Sequence, residues 1–215
     1  MERNIDLSGI TIYSAVCSDI CDQLGFRAQS LDVSVSPING GQTLVGWART
    51  VSSRAVSDEP SRPYEGEIAF VDSLATGDVV VAQITGSSSA FWGELFSSAA
   101  LARGARGAVI DGFVRDAERL QSIPFPILAA GTRPTDCQGR IAIDATGAPL
   151  LIGGVVISEG DLIVADRDGI VAVPSAIAAE VIRLADQKAR TESSAHDVLR
   201  NGGLLRDVWQ EFGVL

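Results

Sequence analysis

Gly107-Ala108-Val109-Ile110-Asp111-Gly112-Phe113-Val114-Arg115-Asp116 reads as a strand that empties into a charged turn. Ala108-Val109-Ile110 is the short apolar run expected of a strand buried on both faces. Asp111 is placed at the end of that strand, and Arg115-Asp116 follows after Gly112-Phe113-Val114. Ligand sites in α/β sheets gather beyond the carboxyl ends of the strands. An adjacent Arg and Asp there can divide labour, the carboxylate holding a cation and the guanidinium a substrate oxyanion. A plainer reading stays open: Asp116 serves as N-cap for a short helix over 117–120.

Working outward, residues 93–103 form a helix rich in small side chains, stopped by Gly104. Glu94 falls in its first turn, where the helix dipole favours a negative charge without any chemistry. The same turn leaves the N–H groups of Leu95 and Phe96 without helical partners, and such groups bind carboxylates. Residues 78–82 and 126–129 are two further buried-strand patterns, with a loop at 86–89. This strand–helix–strand order predicts parallel crossovers and an α/β fold.

Nearer the N-terminus, Ile12, Val16, Ile20 and Leu24 recur at helical spacing over 11–25, and 42–53 alternates as a strand. Residues 57–66, with Pro60, Pro63 and several charges, read as a surface loop. In the C-terminal part, 161–166 and 169–173 flank Arg167-Asp168 as a hairpin with an Asp-Gly turn. Pro174 opens a long helix to about residue 199, Gly202-Gly203 ends it, and a short tail helix follows over 206–215. No repeat or linker divides the sequence. It reads as one domain over 1–215, a core to about 173 and a helical arm over 174–215.

Composition narrows the partners. The 215 residues are 46% apolar and 20% charged, with 27 acidic and 17 basic side chains for a net charge of −10. This is a globular mix with ample length for a core. No apolar run approaches the ~20 residues that span a bilayer, and the first residues show no secretory signal, so a cytoplasmic protein without membrane contact is expected. Phosphate backbones are bound by dense Lys/Arg patches; only Lys188 is lysine, no basic run occurs, and nucleic acid is not an expected partner. Cys17, Cys21 and Cys137 contain no C-x-x-C spacing and read as buried free thiols of a reducing compartment.

Familiar nucleophile and nucleotide motifs are missing: no G-x-S-x-G elbow, no G-x-G-x-x-G after a strand, no phosphate loop. His196 is the sole histidine and lies on a charged helix, so a Ser-His-Asp triad and a histidine-based metal site are not expected. A metal, if one is bound, is a hard cation on oxygen ligands, Mg²⁺ or Mn²⁺.

Gly93-Glu94-Leu95, Arg103-Gly104 and the stretch 107–116 together resemble the RraA-like family, whose signature is an acidic residue, twenty residues, then Arg-Asp. Glu94 and Arg115-Asp116 fit that spacing. The likeness extends to Val16-Cys17-Ser18-Asp19-Ile20-Cys21-Asp22-Gln23-Leu24-Gly25, to Thr76-Gly77-Asp78-Val79-Val80-Val81, to Phe125-Pro126-Ile127 and to Gly160-Asp161-Leu162-Ile163-Val164-Ala165-Asp166, and so covers nearly the whole chain. The family includes class II 4-hydroxy-4-methyl-2-oxoglutarate/4-carboxy-4-hydroxy-2-oxoadipate aldolases and regulators of ribonuclease E activity.

The resemblance implies a swivelling β/β/α-type sandwich, trimers or hexamers with sites at subunit interfaces, and a 2-oxo acid substrate. It places Asp116 on Mg²⁺ or Mn²⁺, Glu94 on the metal through water, Arg115 on the 2-oxo oxygen, and the backbone N–H groups of Leu95 and Phe96 on the substrate carboxylate. Many members carry Asp where Glu94 stands, so the longer side chain shifts the water or ligates directly. A glutamate from a neighbouring subunit's C-terminal arm enters the family's site; Glu192 is its best match here. The implied reaction splits a 4-hydroxy-2-oxo acid into pyruvate and a second oxo acid. A divalent cation is the electron sink, Arg115 adds charge on the same oxygen, and a metal-bound water positioned by Glu94 is the base. Oxaloacetate decarboxylation, which passes through the same enolate, is the expected side activity. Lys188, on the C-terminal helix, is the one lysine for a Schiff base, which argues against a class I mechanism. Arg133 and Arg140 are guesses for the substrate's distal group, with a surface position the plainer reading. Two rivals remain, a non-catalytic ribonuclease regulator and another Mg²⁺-dependent 2-oxo acid lyase or hydratase. The regulators are typically shorter, so the forty residues beyond Pro174 favour the aldolase. Some relatives are labelled menaquinone methyltransferases, but no methyl-donor motif is present.

Overall fold

The computed structural model describes residues 9–58 and 62–214. The N-terminal residues 1–8, part of the expected 57–66 loop and Leu215 lie outside the described residues.

The chain runs α1 (Ser14–Gln23), β1 (Ser36–Pro37), β2 (Leu44–Ala55), α2 (Glu65–Asp72), β3 (Asp78–Thr85), β4 (Ala90–Trp92), α3 (Glu94–Ala102), β5 (Gly107–Val114), α4 (Ala117–Leu120) and β6 (Ile127–Thr132). It continues through β7 (Ile141–Thr146), β8 (Leu150–Ile152), β9 (Val155–Ile157), β10 (Leu162–Ala165), β11 (Ile170–Val173), α5 (Ala178–Arg200) and α6 (Leu205–Phe212). One sheet follows the order β1-β6-β5-β3-β2-β10-β11, with β4 added beside β5 and β7 beside β2; β8 and β9 form a separate hairpin. β2/β3, β3/β5, β4/β5 and β5/β6 are parallel, as the strand–helix–strand order predicted. The pairs β1/β6, β2/β7 and β2/β10 are antiparallel.

The apolar runs at the sheet centre are buried on both faces, which is why they do not alternate with polar residues. Val80, Ala82, Ala108, Ile110 and Ile127 face a core shared with Phe70, Ala100 and Leu120 of the helices. Their neighbours Val79, Val81, Val109 and Leu128 face the opposite way, onto Leu150, Ile152, Val155 and Ile157 of the β8–β9 hairpin. Helices α1 and α5 close a third core over Leu162, Val164, Val171 and Val173. The result is an α/β fold with helical C-terminal elements, as expected. Gly104 ends α3 in the left-handed region at φ 85°, where a Cβ would also meet Thr76 Oγ1 at 2.6 Å.

Three sequence expectations change. β5 runs through to Val114, so Asp111 lies inside the strand and not at its end. The expected 57–66 loop gives way to α2 at Glu65. The long helix starts at Ala178, not at Pro174, because Asp161 Oδ1 accepts the Ser175 N–H (2.8 Å) and holds that stretch as a turn. The hairpin loop is centred on Arg167-Asp168, closed by Asp166 N–H to Gly169 O at 3.0 Å. There Asp166 also anchors α1, accepting from Ser14 N (2.8 Å) and Ser14 Oγ (2.6 Å), since Tyr13 at the N-cap supplies no side-chain cap.

A buried polar latch fixes the segment that follows α4. Asn39, 5% exposed, donates through Nδ2 to Leu120 O (2.9 Å) and Phe125 O (3.0 Å) and accepts from Ile127 N–H (2.9 Å). Each buried group left without a partner costs about 1–3 kcal/mol. Asn39→Ala is therefore expected to lower unfolding stability by about 3 kcal/mol, read from urea titration; an unchanged midpoint would show that water replaces the latch at no cost.

Candidate active site

The turn after β5 meets the start of α3 because β4 pairs with the end of β5, Ala90 opposite Phe113 and Trp92 opposite Val114. Arg115 N–H closes this corner on Trp92 O at 2.9 Å. Arg115 and Asp116 thus leave the sheet directly beside Gly93, Glu94, Leu95 and Phe96. Together with Tyr64, Ile68, Arg119, Asp136 and Cys137 they line a cavity of about 640 Å³. Of the sequence-predicted site residues, Glu94, Leu95, Phe96, Arg115 and Asp116 all meet here. Ligand sites sit at this end of parallel strands in α/β folds.

Asp116 occupies the N-cap position of α4, yet its side chain makes no capping hydrogen bond. Instead Oδ2 accepts the Glu94 backbone N–H at 3.1 Å, at the N-terminus of α3. The capping alternative is thereby set aside: the carboxylate turns into the cavity wall and away from its own helix. Its backbone adopts φ 61°, the left-handed region that aspartate enters more readily than most L-residues.

Gly93 is required by this packing. Its φ of −167° is extended and open to any residue, but a Cβ would stand 2.7 Å from Asp116 Oδ2 and 3.1 Å from Arg115 Cγ. Misplacing reacting groups by about 1 Å costs about 10²-fold in rate, so Gly93→Ala is expected to fold normally and lose turnover by about that factor. Wild-type kinetics in that variant would mean that neither side chain needs its present place.

The charges interlock. Glu94 Oε2 pairs with Arg119 Nη1 at 3.4 Å. Arg115 Nη1 lies 3.1 Å from Asp136 Oδ1, and its Nε 3.7 Å from Asp116 Oδ2. Asp136 also accepts from the Tyr64 hydroxyl and from Cys137 N–H at 2.7 Å. Burial pushes the Asp136 carboxyl up, but the Tyr64 hydroxyl, the Arg115 guanidinium and Cys137 N–H outweigh it and hold it below its ordinary value. Burial, then the bond to Asp136, raises the Tyr64 hydroxyl to about 12, and burial followed by the Asp136 charge raises the Cys137 thiol to about 12. The thiols of Cys17, Cys21 and Cys137 are free and buried, as expected.

Sequence reasoning missed Asp136, Tyr64 and Arg119. Asp136 had a findable signal: it follows β6 much as Arg115-Asp116 follows β5, and it bridges to Ala90 of β4. Several other candidates lie elsewhere. Glu192, on α5, accepts from Tyr13 Oη and pairs with Lys188 Nζ at 3.7 Å, away from this chain's cavity lining. Lys188 also pairs with Asp19. Arg133 stacks over Phe113 with Cζ 4.6 Å from the ring centre, and Arg140 donates to Asp136 O (3.2 Å) and Gln138 O (3.4 Å).

The donor chemistry suits a hard divalent cation. Asp116 and Glu94 offer carboxylate oxygens, and among the described residues no group of three or more His, Cys, Asp or Glu side chains forms a metal cage. Mg²⁺ keeps several waters and needs only one or two carboxylates plus substrate oxygens, whereas Zn²⁺ sites take three or four protein ligands, His and Cys foremost.

A layered α/β sheet with an acid–Arg-Asp cluster at its strand ends defines the class, and a sequence model of the Aldolase/RraA family matches residues 16–172. The chain belongs to the RraA-like family. It is 29% identical over 204 residues to a Halalkalibacterium halodurans protein provisionally named 4-hydroxy-4-methyl-2-oxoglutarate aldolase, covering 88% of each chain. It is 26% identical over 204 residues to protein DlpA of Legionella pneumophila, covering 94% of this chain but spanning about a third of DlpA's length. Among solved structures, Streptomyces coelicolor RraAS2, described as an unusual member of the RNase ES inhibitor RraA protein family, superposes with a TM-score of 0.73 at 29% identity. The superposition covers 91% of this chain and 98% of that one. The two are therefore similar in length, and length alone does not set this chain apart from members of that family. Among the described residues no helix is long and apolar enough to cross a membrane.

Proposed function

We propose that the protein is a divalent-metal-dependent aldolase that cleaves 4-hydroxy-2-oxo acids of the 4-hydroxy-4-methyl-2-oxoglutarate type to pyruvate and a second oxo acid. The observation that carries the reading is Asp116, an N-cap residue whose carboxylate leaves its own helix for the wall it shares with Arg115 and the α3 N-terminus. Asp116 would hold Mg²⁺ or Mn²⁺, with Glu94 reaching it through water. When bound, the cation supplies Lewis-acid charge beside the substrate's carboxylate and 2-oxo oxygens.

The chain's own groups do the rest. Leu95 and Phe96 N–H take the C1 carboxylate at the positive end of α3. Arg115 points fixed charge at the C2 oxygen, where negative charge grows as the C3–C4 bond breaks. Glu94 orients a water that removes the 4-hydroxyl proton; the C3–C4 electron pair then becomes the enolate of pyruvate, and C4 leaves as a carbonyl. Loss of CO₂ from oxaloacetate gives the same enolate, so oxaloacetate decarboxylation is the side activity. A coupled pyruvate assay with 4-hydroxy-4-methyl-2-oxoglutarate tests the reading: turnover that stops with chelator and returns with Mg²⁺ is expected, and chelator-resistant turnover or none would retire it.

The likeness to RraAS2 favours a second reading, a ribonuclease regulator acting by protein–protein contact. Capture of a ribonuclease E-type enzyme by a protein inactive in the pyruvate assay would establish it instead.

The site is further proposed to be completed in a homotrimer or homohexamer, with Glu192 of a neighbouring copy. Glu192→Gln is expected to cut turnover by about 10²-fold or more, the range of a lost acid–base group, without changing the oligomer on sizing. Unchanged kinetics in an intact oligomer would remove Glu192 from the site.

A further inference from the structure

Among the described residues Glu94, Asp116 and Asp136 are the carboxylates lining the cavity, and the chemistry above leaves Asp136 without a part. Yet it is held on both oxygens. Oδ2 accepts from the Tyr64 hydroxyl, while Oδ1 accepts from Cys137 N–H at 2.7 Å and faces Arg115 Nη1 at 3.1 Å. Tyr64 reaches it from a left-handed backbone at φ 62°. Among the described residues the non-glycine positions with positive φ are Tyr64 and Asp116, and both line this cavity. A tyrosine gains nothing locally from that conformation, which costs about 1–2 kcal/mol, so the surrounding contacts must hold it there.

Arg115 stands between two anions. Its Nη1 is engaged by Asp136, and its Nε lies only 3.7 Å from Asp116 Oδ2. A guanidinium prefers a bidentate, charge-assisted pair to a lone contact. Freed from Asp136, Arg115 has Asp116 as the carboxylate already within reach, and pairing there would neutralise the group proposed to hold the cation.

We propose that Asp136, steadied by Tyr64, is a positioning residue that keeps Arg115 off Asp116, leaving that carboxylate open to a divalent cation and the guanidinium aimed at the substrate. This rests on the reading that Asp116 holds the cation. Asp136 is kept below the usual carboxylate range despite its burial, so it remains an anion wherever the protein is folded near neutral pH.

Direct Mn²⁺ titration, followed by the electron paramagnetic resonance signal of free Mn²⁺, needs neither substrate nor turnover. Removing Asp136 also removes a negative charge, and a plain field effect would weaken binding too; two comparisons separate them. Tyr64→Phe changes no charge, yet on this account it raises the Mn²⁺ Kd about 3-fold, a modest coupling of contacting residues. Asp136→Ala raises it about 10-fold, and the rise vanishes in an Arg115→Ala background, because contacting residues couple while independent ones add. Thermal unfolding checks that each variant is folded, and Tyr64→Phe carries the test should Asp136→Ala fail to fold. A Tyr64→Phe Kd equal to wild type, or an Asp136→Ala penalty that persists without Arg115, would overturn the inference. No Mn²⁺ binding by the wild-type protein would instead remove the metal reading beneath it.

Discussion

Asp116→Ala is expected to reduce metal-dependent pyruvate release by about 10³-fold or more, to the background of the assay. The cation's stabilisation of developing charge amounts to several kcal/mol, and each 1.36 kcal/mol is a factor of ten in rate. The same variant loses the hydrogen bond from Glu94 N–H that ties α4 to α3. Asp116 is one-third exposed, and the bond counts for about 1 kcal/mol. Alanine also tolerates φ 61° less well than aspartate. A small loss of stability therefore accompanies the large loss of rate. Asp116→Asn separates the two, since asparagine accepts the left-handed backbone and the Glu94 N–H but is a poor cation ligand. It is expected to melt with the wild type and be as inactive as alanine. An active Asp116→Asn enzyme would place the cation elsewhere.

Arg115→Ala is expected to lower kcat by about 10²–10³-fold, the loss seen when one preorganised donor to a developing oxyanion is removed. KM should move less, because on the proposed reading the C1 carboxylate keeps its contacts with Leu95 and Phe96 and only the C2 oxygen loses its partner. Arg115→Lys should recover little of this, since an ammonium cannot span Asp136 and the substrate as the planar fork does. The variant leaves Asp136 with Tyr64 and Cys137 N–H at a half-open site, so the fold survives. A rise in KM with kcat unchanged would assign Arg115 to uniform substrate binding.

Much of this arrangement could be read from the chain. β3, β5 and β6 announced themselves as apolar runs because a parallel strand covered on both faces has no polar side to show. The charged turn Arg115-Asp116 and the glutamate at the head of α3 were visible because the strand–helix–strand order brings such positions to one edge. β4, β8 and β9 have three residues each, too short for any period to emerge, and β7 pairs half-exposed residues with β2. The start of α3 meets the end of β5 only because the short β4 lies alongside, and no local pattern in the chain fixes that contact. Tyr64 carried no signal at all: its place depends on a left-handed backbone at the head of α2, and nothing local in Pro63-Tyr64-Glu65 demands it. Asp136 was available to the same strand-end reasoning that found Asp116, applied one strand further along.

On the proposed reading, positive charge gathered at the exit of β5 accepts the electrons of a pyruvate enolate. Solvent exchange of the methyl protons of pyruvate in D₂O, followed by proton NMR, reports that event without any knowledge of the second product. Exchange that requires Mg²⁺ or Mn²⁺ and disappears in Asp116→Asn is expected. Exchange that continues under chelator, or a fully loaded enzyme that leaves the methyl signal intact, would contradict it.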